Sequence, residues 1–305
     1  MPFPSVVAAS WWQVIAVPAA EVLVGAVVLG LLVYFGSHSR RWWRKRYREP
    51  FHEGILRPPG WGCLERREDA LMETTGLAVG MMILAMLLPF VVFTGKPFAW
   101  VGVVLAGVPT GWFGFRRIRK LIGRARTERL GFLGECVVAE ALAPLAAKGW
   151  RVFHDLPMEV DGKPFNIDHV AVGPGGVWAI ETKSFSKSKL VEKGGDSLRV
   201  EGEVVVLPDG RRSQALKQAR GAARALQVRC NGAEAPVKFV EPLVVLPGWT
   251  VNYPKGAAPQ IRDPRNVVAF LEGRERVMDD AAVEKVAAKL EEWCRVLRFE
   301  AKDAG

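Results

Sequence analysis

Cysteine is scarce. Cys63, Cys136, Cys230 and Cys294 are the only four in 305 residues, and no two form a Cys-x-x-Cys pair. Nothing in that spacing suggests a disulfide framework or a thiolate zinc site, and the reading is four unpaired thiols facing a reducing compartment. No Lys or Arg precedes Arg40, so the basic stretch that opens a cleaved signal peptide is missing. Three long runs carry no charge except Glu21, near a boundary of the first. No repeat, and no acid or base inside those runs, suggests a transporter, so the runs read as an anchor. No motif for reading base edges is visible, so strong sequence specificity towards a nucleic acid is not expected.

What is present is uneven. Half the residues are hydrophobic, 24% are charged, and the net charge is +10 with a pI near 9.7. The uncharged runs crowd into residues 1–115, and the remainder has the composition of a soluble domain. "GLAVGMMILAMLLPFVVFTG" (76–95) is long enough as a helix to match a bilayer core, and "PFAWVGVVLAGVPTGWFGF" (97–115) is similar. Lys96 alone separates them, which predicts a helical hairpin. The run 11–36 is interrupted by Glu21, so a full crossing and a re-entrant first segment both stay open. Pro89 and Pro109 predict kinks.

Basic clusters follow the first run ("SRRWWRKRYRE", 39–49) and the third ("RRIRK", 116–120). The positive-inside rule puts both in the cytoplasm, with a basic loop over 37–75 and the C-terminal part also inside. This predicts a multi-pass protein of the cell membrane. Trp11, Trp12, Trp42, Trp43, Trp100 and Trp112 lie near segment ends, as interfacial anchors do, and the arginines beside Trp42 and Trp43 suit anionic headgroups. Gly76-x-x-x-Gly80 and Gly107-x-x-x-Gly111 would permit close helix contact, including self-association.

After a basic linker (116–129) the soluble domain, 130–305, begins. Residues 128–148 have helical spacing, with Val137, Val138, Ala141, Leu142 and Leu145 on one stripe and Pro144 as a break or kink. Strands are predicted at 150–156, 165–173 and 176–183, the last two joined as an antiparallel hairpin at Pro174-Gly175. Short alternating pieces follow ("KLVEK", "SLRVEG", "EVVVLPDG"), then a helix over 211–230, a strand over 237–248 and a tail helix over 280–299. The order of helix, three strands, helix, strand and helix is α/β with a mixed sheet.

The third strand ends in Glu181-Thr182-Lys183. Residues two apart on a strand share a face, so Glu181 and Lys183 project together. Asp168 lies 13 residues earlier, on the partner strand, near the position opposite Glu181. Two carboxylates and the Thr182 carbonyl form an oxygen-rich set suited to Mg²⁺ or Mn²⁺, which would also relieve their repulsion. Lys183 then either stabilises a pentacovalent phosphate or orients and deprotonates a water. Glu135 could complete the site from the preceding helix. His169 alternates to the other sheet face, which suits a packed core histidine better than a ligand.

With "GFLGE" (131–135), "NIDHVAVGPGGVWAIETKS" (166–184) and the Gln218 helix, residues 131–246 resemble the nuclease-related domain (NERD) family. That family is placed in the PD-(D/E)XK nuclease superfamily, with an α-β-β-β-α-β core. The resemblance implies a metal-dependent phosphodiesterase with Asp168, Glu181 and Lys183 as its catalytic core. It makes Asp168 and Glu181 the metal ligands, Glu135 the helix-borne acid and Gln218 the helix glutamine. Two departures stand out. The family often has Gln-Ile-Asp-His where this chain has Asn166-Ile167-Asp168-His169, and the helix opens "SQALKQ", which leaves Gln214 competing with Gln218.

Arg211, Arg212, Lys217, Arg220, Arg224 and Arg229 could meet the phosphates of a nucleic acid, DNA ahead of RNA. A catalytically inactive module that tethers nucleic acid or a protein partner to the membrane is the alternative reading.

Overall fold

Two of the uncharged runs become parts of long helices in the computed structural model, which describes residues 55–93, 99–187, 197–202, 204–233, 235, 237–252 and 260–295. Helix α1 spans Trp61–Phe93 and α2 spans Ala99–Leu142. The stretches Trp61–Met86 and Gly107–Lys148 are long and apolar enough to cross a membrane. The expected first segment (11–36), the cluster at 39–49 and Lys96 lie outside the described residues.

Two boundaries differ from the sequence reading. The end of the expected loop 37–75 is helical from Trp61, and the expected linker 116–129 is the middle of α2. Both stretches are rich in Arg, Glu, Leu and Ala, and among them only Gly62 and Gly123 weaken a helix. A basic composition does not by itself break a helix.

The described residues divide into two compact units, Arg66–Arg126 and a second made of Ile55–Glu65 with Thr127 onward. In the first, Ala70, Leu121 and Ala125 are buried together with Leu77 packed on them. Arg117 Nε donates to Glu73 at 2.9 Å, and Met81 lies against Gly114. Positions rising along α1 meet positions falling along α2, so the two helices run antiparallel.

In the second unit α2 ends at Leu142 and a 3₁₀ turn with Pro144 in its first turn continues to Lys148. Val138, Leu142 and Leu145 of the expected stripe are fully buried, whereas Val137 is 44% exposed and lies off it. Strands β1 (Arg151–Val160), β2 (Lys163–Gly173) and β3 (Gly176–Thr182) form an antiparallel meander. After β4 (Ser197–Glu201), β5 (Val204–Val206) and β6 (Arg212–Ser213) comes helix α3, Ala215–Gly232. Next come β7 (Val240–Val245), β8 (Thr250–Asn252) and β9 (Ile261–Arg262), then helices α4 (Val267–Glu272) and α5 (Asp280–Cys294). The main sheet has the order β1-β2-β3-β7-β9, with β7 parallel to β3 and β9 parallel to β7. A smaller sheet has the order β6-β5-β4-β8.

Alternation along β3 sorts its side chains. Val177 and Ala179 join a core with Val170 and Val172 of β2, Ala223 and Leu226 of α3, and Val286 and Leu290 of α5. Trp178 and Ile180 face the opposite layer, with Val138 and Leu142 of α2 and Leu271 of α4. Both faces of the central strands are covered, so the chemistry is left to their ends.

Candidate active site

His169 pairs with Ile180 in the β2–β3 ladder, which brings the preceding Asp168 level with Glu181. Asp168 Oδ2 accepts a hydrogen bond from the Thr182 amide at 2.7 Å, tying its carboxyl to the end of β3. Lys183 Nζ lies 2.6 Å from Glu181 Oε1, and the Lys183 amide donates to Val245 O of β7 at 3.1 Å. The Glu-x-Lys end is therefore held by strands on both sides.

Burial, then Glu181, then Glu135 push the Asp168 carboxyl well above the usual carboxylate range, opposed by the Thr182 amide and Lys183. For Lys183, burial favours the neutral amine. The charge and hydrogen bond of Glu181, with Asp168 and Cys63, outweigh it and raise its pKa above the usual lysine value. Lys183 is thus a fixed cation at neutral pH.

Four of the five expected site residues, Glu135, Asp168, Glu181 and Lys183, interact with one another. Gln218 does not join them. It is exposed on α3, and no hydrogen bond or ion pair links it to the acids among the described residues; Gln214 is the N-cap residue of α3, with no side-chain cap bond. Several of the arginines expected to meet phosphates are already engaged. Arg211 pairs with Asp209, Arg212 with Glu201, and Arg229 donates to Pro157 O at 2.6 Å and stacks on Trp293.

His169 is fully buried on the other face. Its Nδ1 is 2.8 Å from Nδ1 of His154 and its Nε2 is 3.2 Å from Thr182 Oγ1. Burial holds His154 at a pKa of about 4, and burial followed by His154 holds His169 well below its usual value. Both rings are neutral at pH 7, one donating its Nδ1 proton to the other, and the chain of contacts ends on the residue between Glu181 and Lys183.

Glu135 is 6% exposed, and both of its oxygens are occupied by a segment the sequence reading passed over. The Gly60 amide donates to Oε2 at 3.0 Å and the Cys63 thiol to Oε1 at 3.2 Å. The same segment also reaches Asp155, which has a positive φ of 50°. It accepts from Arg57 Nη1 at 2.8 Å, the Gly62 amide at 3.2 Å and Asn166 Nδ2 at 2.9 Å. Asn166, where the resembling family often has Gln, thus spends its amide on a buried carboxylate. The signal that could have exposed this segment is Pro58-Pro59-Gly60: Trp61 N donates to Pro58 O, and Gly60 has φ +74°, as a type II turn requires.

The glycines of "GFLGE" also acquire a reason. A Cβ on Gly131 would stand 3.0 Å from Cys63 Sγ, and one on Gly134 would stand 1.7 Å from Ser184 Oγ. Helix α2 approaches both the turn segment and the end of β3 over bare backbone.

The family model of the nuclease-related domain matches residues 130–247. Over that stretch the chain is similar to a nuclease-related domain. No curated protein and no solved structure matches the chain. The matched residues run from the end of α2 through β7, so the nuclease-related domain takes in Glu135, Asp168, Glu181 and Lys183, while Ile55–Glu65 lies outside the match.

Among the described residues no three His, Cys, Asp or Glu side chains are grouped to hold a metal ion. The donor set that fits one is smaller: two carboxylates, Asp168 and Glu181, with the Thr182 carbonyl. The crowding that raises Asp168 is what a divalent cation would relieve, and Mg²⁺ completes its shell with water and substrate oxygens.

Proposed function

We propose that this chain is a membrane-anchored, Mg²⁺- or Mn²⁺-dependent nuclease that hydrolyses phosphodiester bonds in DNA, ahead of RNA, on the cytoplasmic side. The observation that carries the reading is the meeting of Asp168, Glu181 and Lys183 at one end of the β2–β3 hairpin, within reach of the charge of Glu135. Asp168 and Glu181 would hold the metal, which when bound lowers the pKa of water and neutralises phosphate oxygens.

The protein's own groups then divide the work. The Thr182 amide fixes the rotation of the Asp168 carboxyl. Lys183, whose pKa is raised chiefly by Glu181, would supply positive charge to the phosphate as negative charge develops. Of the two roles open to Lys183 on sequence grounds, charge stabilisation is the one its surroundings favour. The two apolar helices support anchoring by length and composition.

The test uses purified full-length protein with single- and double-stranded DNA and with RNA, in Mg²⁺, Mn²⁺ or EDTA. Wild type is compared with Asp168→Ala and Lys183→Ala. Metal-dependent cleavage lost in both variants supports the reading. Nucleic-acid binding without cleavage in wild type refutes it and leaves the tethering module. Release of the chain from membranes by alkaline carbonate would refute the anchor.

A further inference from the structure

The segment ahead of the matched domain does more than lead into a helix. Residues 55–65 belong to the same compact unit as the nuclease-related domain. The backbone of Arg57 donates to Cys294 O at 3.1 Å, Leu56 forms a bridge with Arg295, and Arg57 and Gly62 both bond Asp155. The chain then turns at Pro58–Trp61. That turn admits only glycine at position 60, for two independent reasons: φ is positive, and a Cβ would stand 2.5 Å from the Phe132 ring. The result is an amide aimed at one oxygen of Glu135. One turn into α1, the Cys63 thiol reaches the other oxygen, seated over Gly131 and close enough to Lys183 to influence its charge.

We infer that Cys63, together with the Gly60 amide, is a positioning group for Glu135, and that residues 55–65 are a working part of the site rather than a connection to it. The inference rests on the proposed nuclease reading for its catalytic consequence and on the contacts alone for its structural one. Glu135 sits close enough to the Asp168 carboxyl to repel it, and an unheld glutamate side chain there would swing away. Two neutral donors, the Gly60 amide and the Cys63 thiol, each hold one of its oxygens in place. A partner one step removed from a metal or reacting group commonly changes affinity or activity by 10–100-fold.

Full-length Cys63→Ala and Cys63→Ser are compared with wild type in the cleavage assay, with kcat and KM separated. The inference expects kcat to fall by about 10-fold or more in Cys63→Ala, KM for nucleic acid to stay unchanged, and Cys63→Ser, which keeps a donor, to recover most of the rate. An unchanged rate in Cys63→Ala overturns it, and so does equal loss in Ala and Ser, which would mean that the volume of sulfur matters and not the bond. A second measurement needs no activity: urea unfolding of Cys63→Ala, Glu135→Gln and the double variant. Non-additive effects support the contact, and additive effects overturn it. A wild type that cleaves nothing removes the nuclease reading, while the unfolding cycle still decides the contact.

Discussion

Arg57→Ala is the sharpest test of whether residues 55–65 are built into the domain. Arg57 Nη1 stands 2.8 Å from Asp155 Oδ2, and the two side chains are 20% and 5% exposed. At that separation the gross attraction is about 6 kcal/mol at an effective dielectric near 20, most of it spent on desolvation. Removing one partner of a buried pair costs about 3–5 kcal/mol because the other charge stays buried. Two terms soften the loss here. Asp155 keeps the Gly62 amide and Asn166, and Arg57 Nε, buried without a partner among the described residues, no longer has to be desolvated. The balance is a loss of about 2–3 kcal/mol, or about 5–10 °C in Tm for a domain of this size. Thermal unfolding of the full-length protein, followed by near-ultraviolet circular dichroism, measures it. A shift below about 1 °C, inside the range of ordinary surface changes, would mean that the segment is not seated on Asp155 in solution.

Three further outcomes follow from the same geometry. An acid whose folded pKa is raised binds more protons folded than unfolded, so the Asp168 contribution to stability falls as pH rises above about 4. Asp168→Asn therefore raises the Tm of metal-free protein at pH 7 and abolishes Mg²⁺-dependent cleavage, and added Mg²⁺ stabilises wild type but not the variant. Gly134→Ala places a methyl group on Ser184 Oγ and costs about 1–3 kcal/mol in urea unfolding. Ser184→Ala in the same chain recovers part of it, since the displaced hydroxyl is buried and unbonded among the described residues. Asp279 caps α5 by accepting from the Ala282 amide at 2.8 Å, so Asp279→Ala lowers stability by about 1 kcal/mol without touching cleavage.

The β2–β3 hairpin was legible before any coordinates. Its register follows from a two-residue turn and strict alternation, so the shared face of Glu181 and Lys183, and the level of Asp168, follow from local pattern. His169 was legible for the same reason, although its partner His154 was not: a hydrogen bond across β1–β2 depends on register between strands whose connecting turn was not anticipated. Val137 illustrates a different difficulty. Helical periodicity gives a stripe to within about one residue, and which neighbour enters the core depends on the angle at which the helix meets the sheet.

Amino-acid order alone settles the strand faces, the apolar helices and the acid–lysine triplet, because each depends on neighbours within a few positions. The partners of Glu135 and Asp155 come from 75 and 98 residues away, across two long helices, and no periodicity spans that gap. Such contacts exist only once packing has closed the loop between them, so the folded chain alone reveals that Gly60 and Cys63 stand at the site.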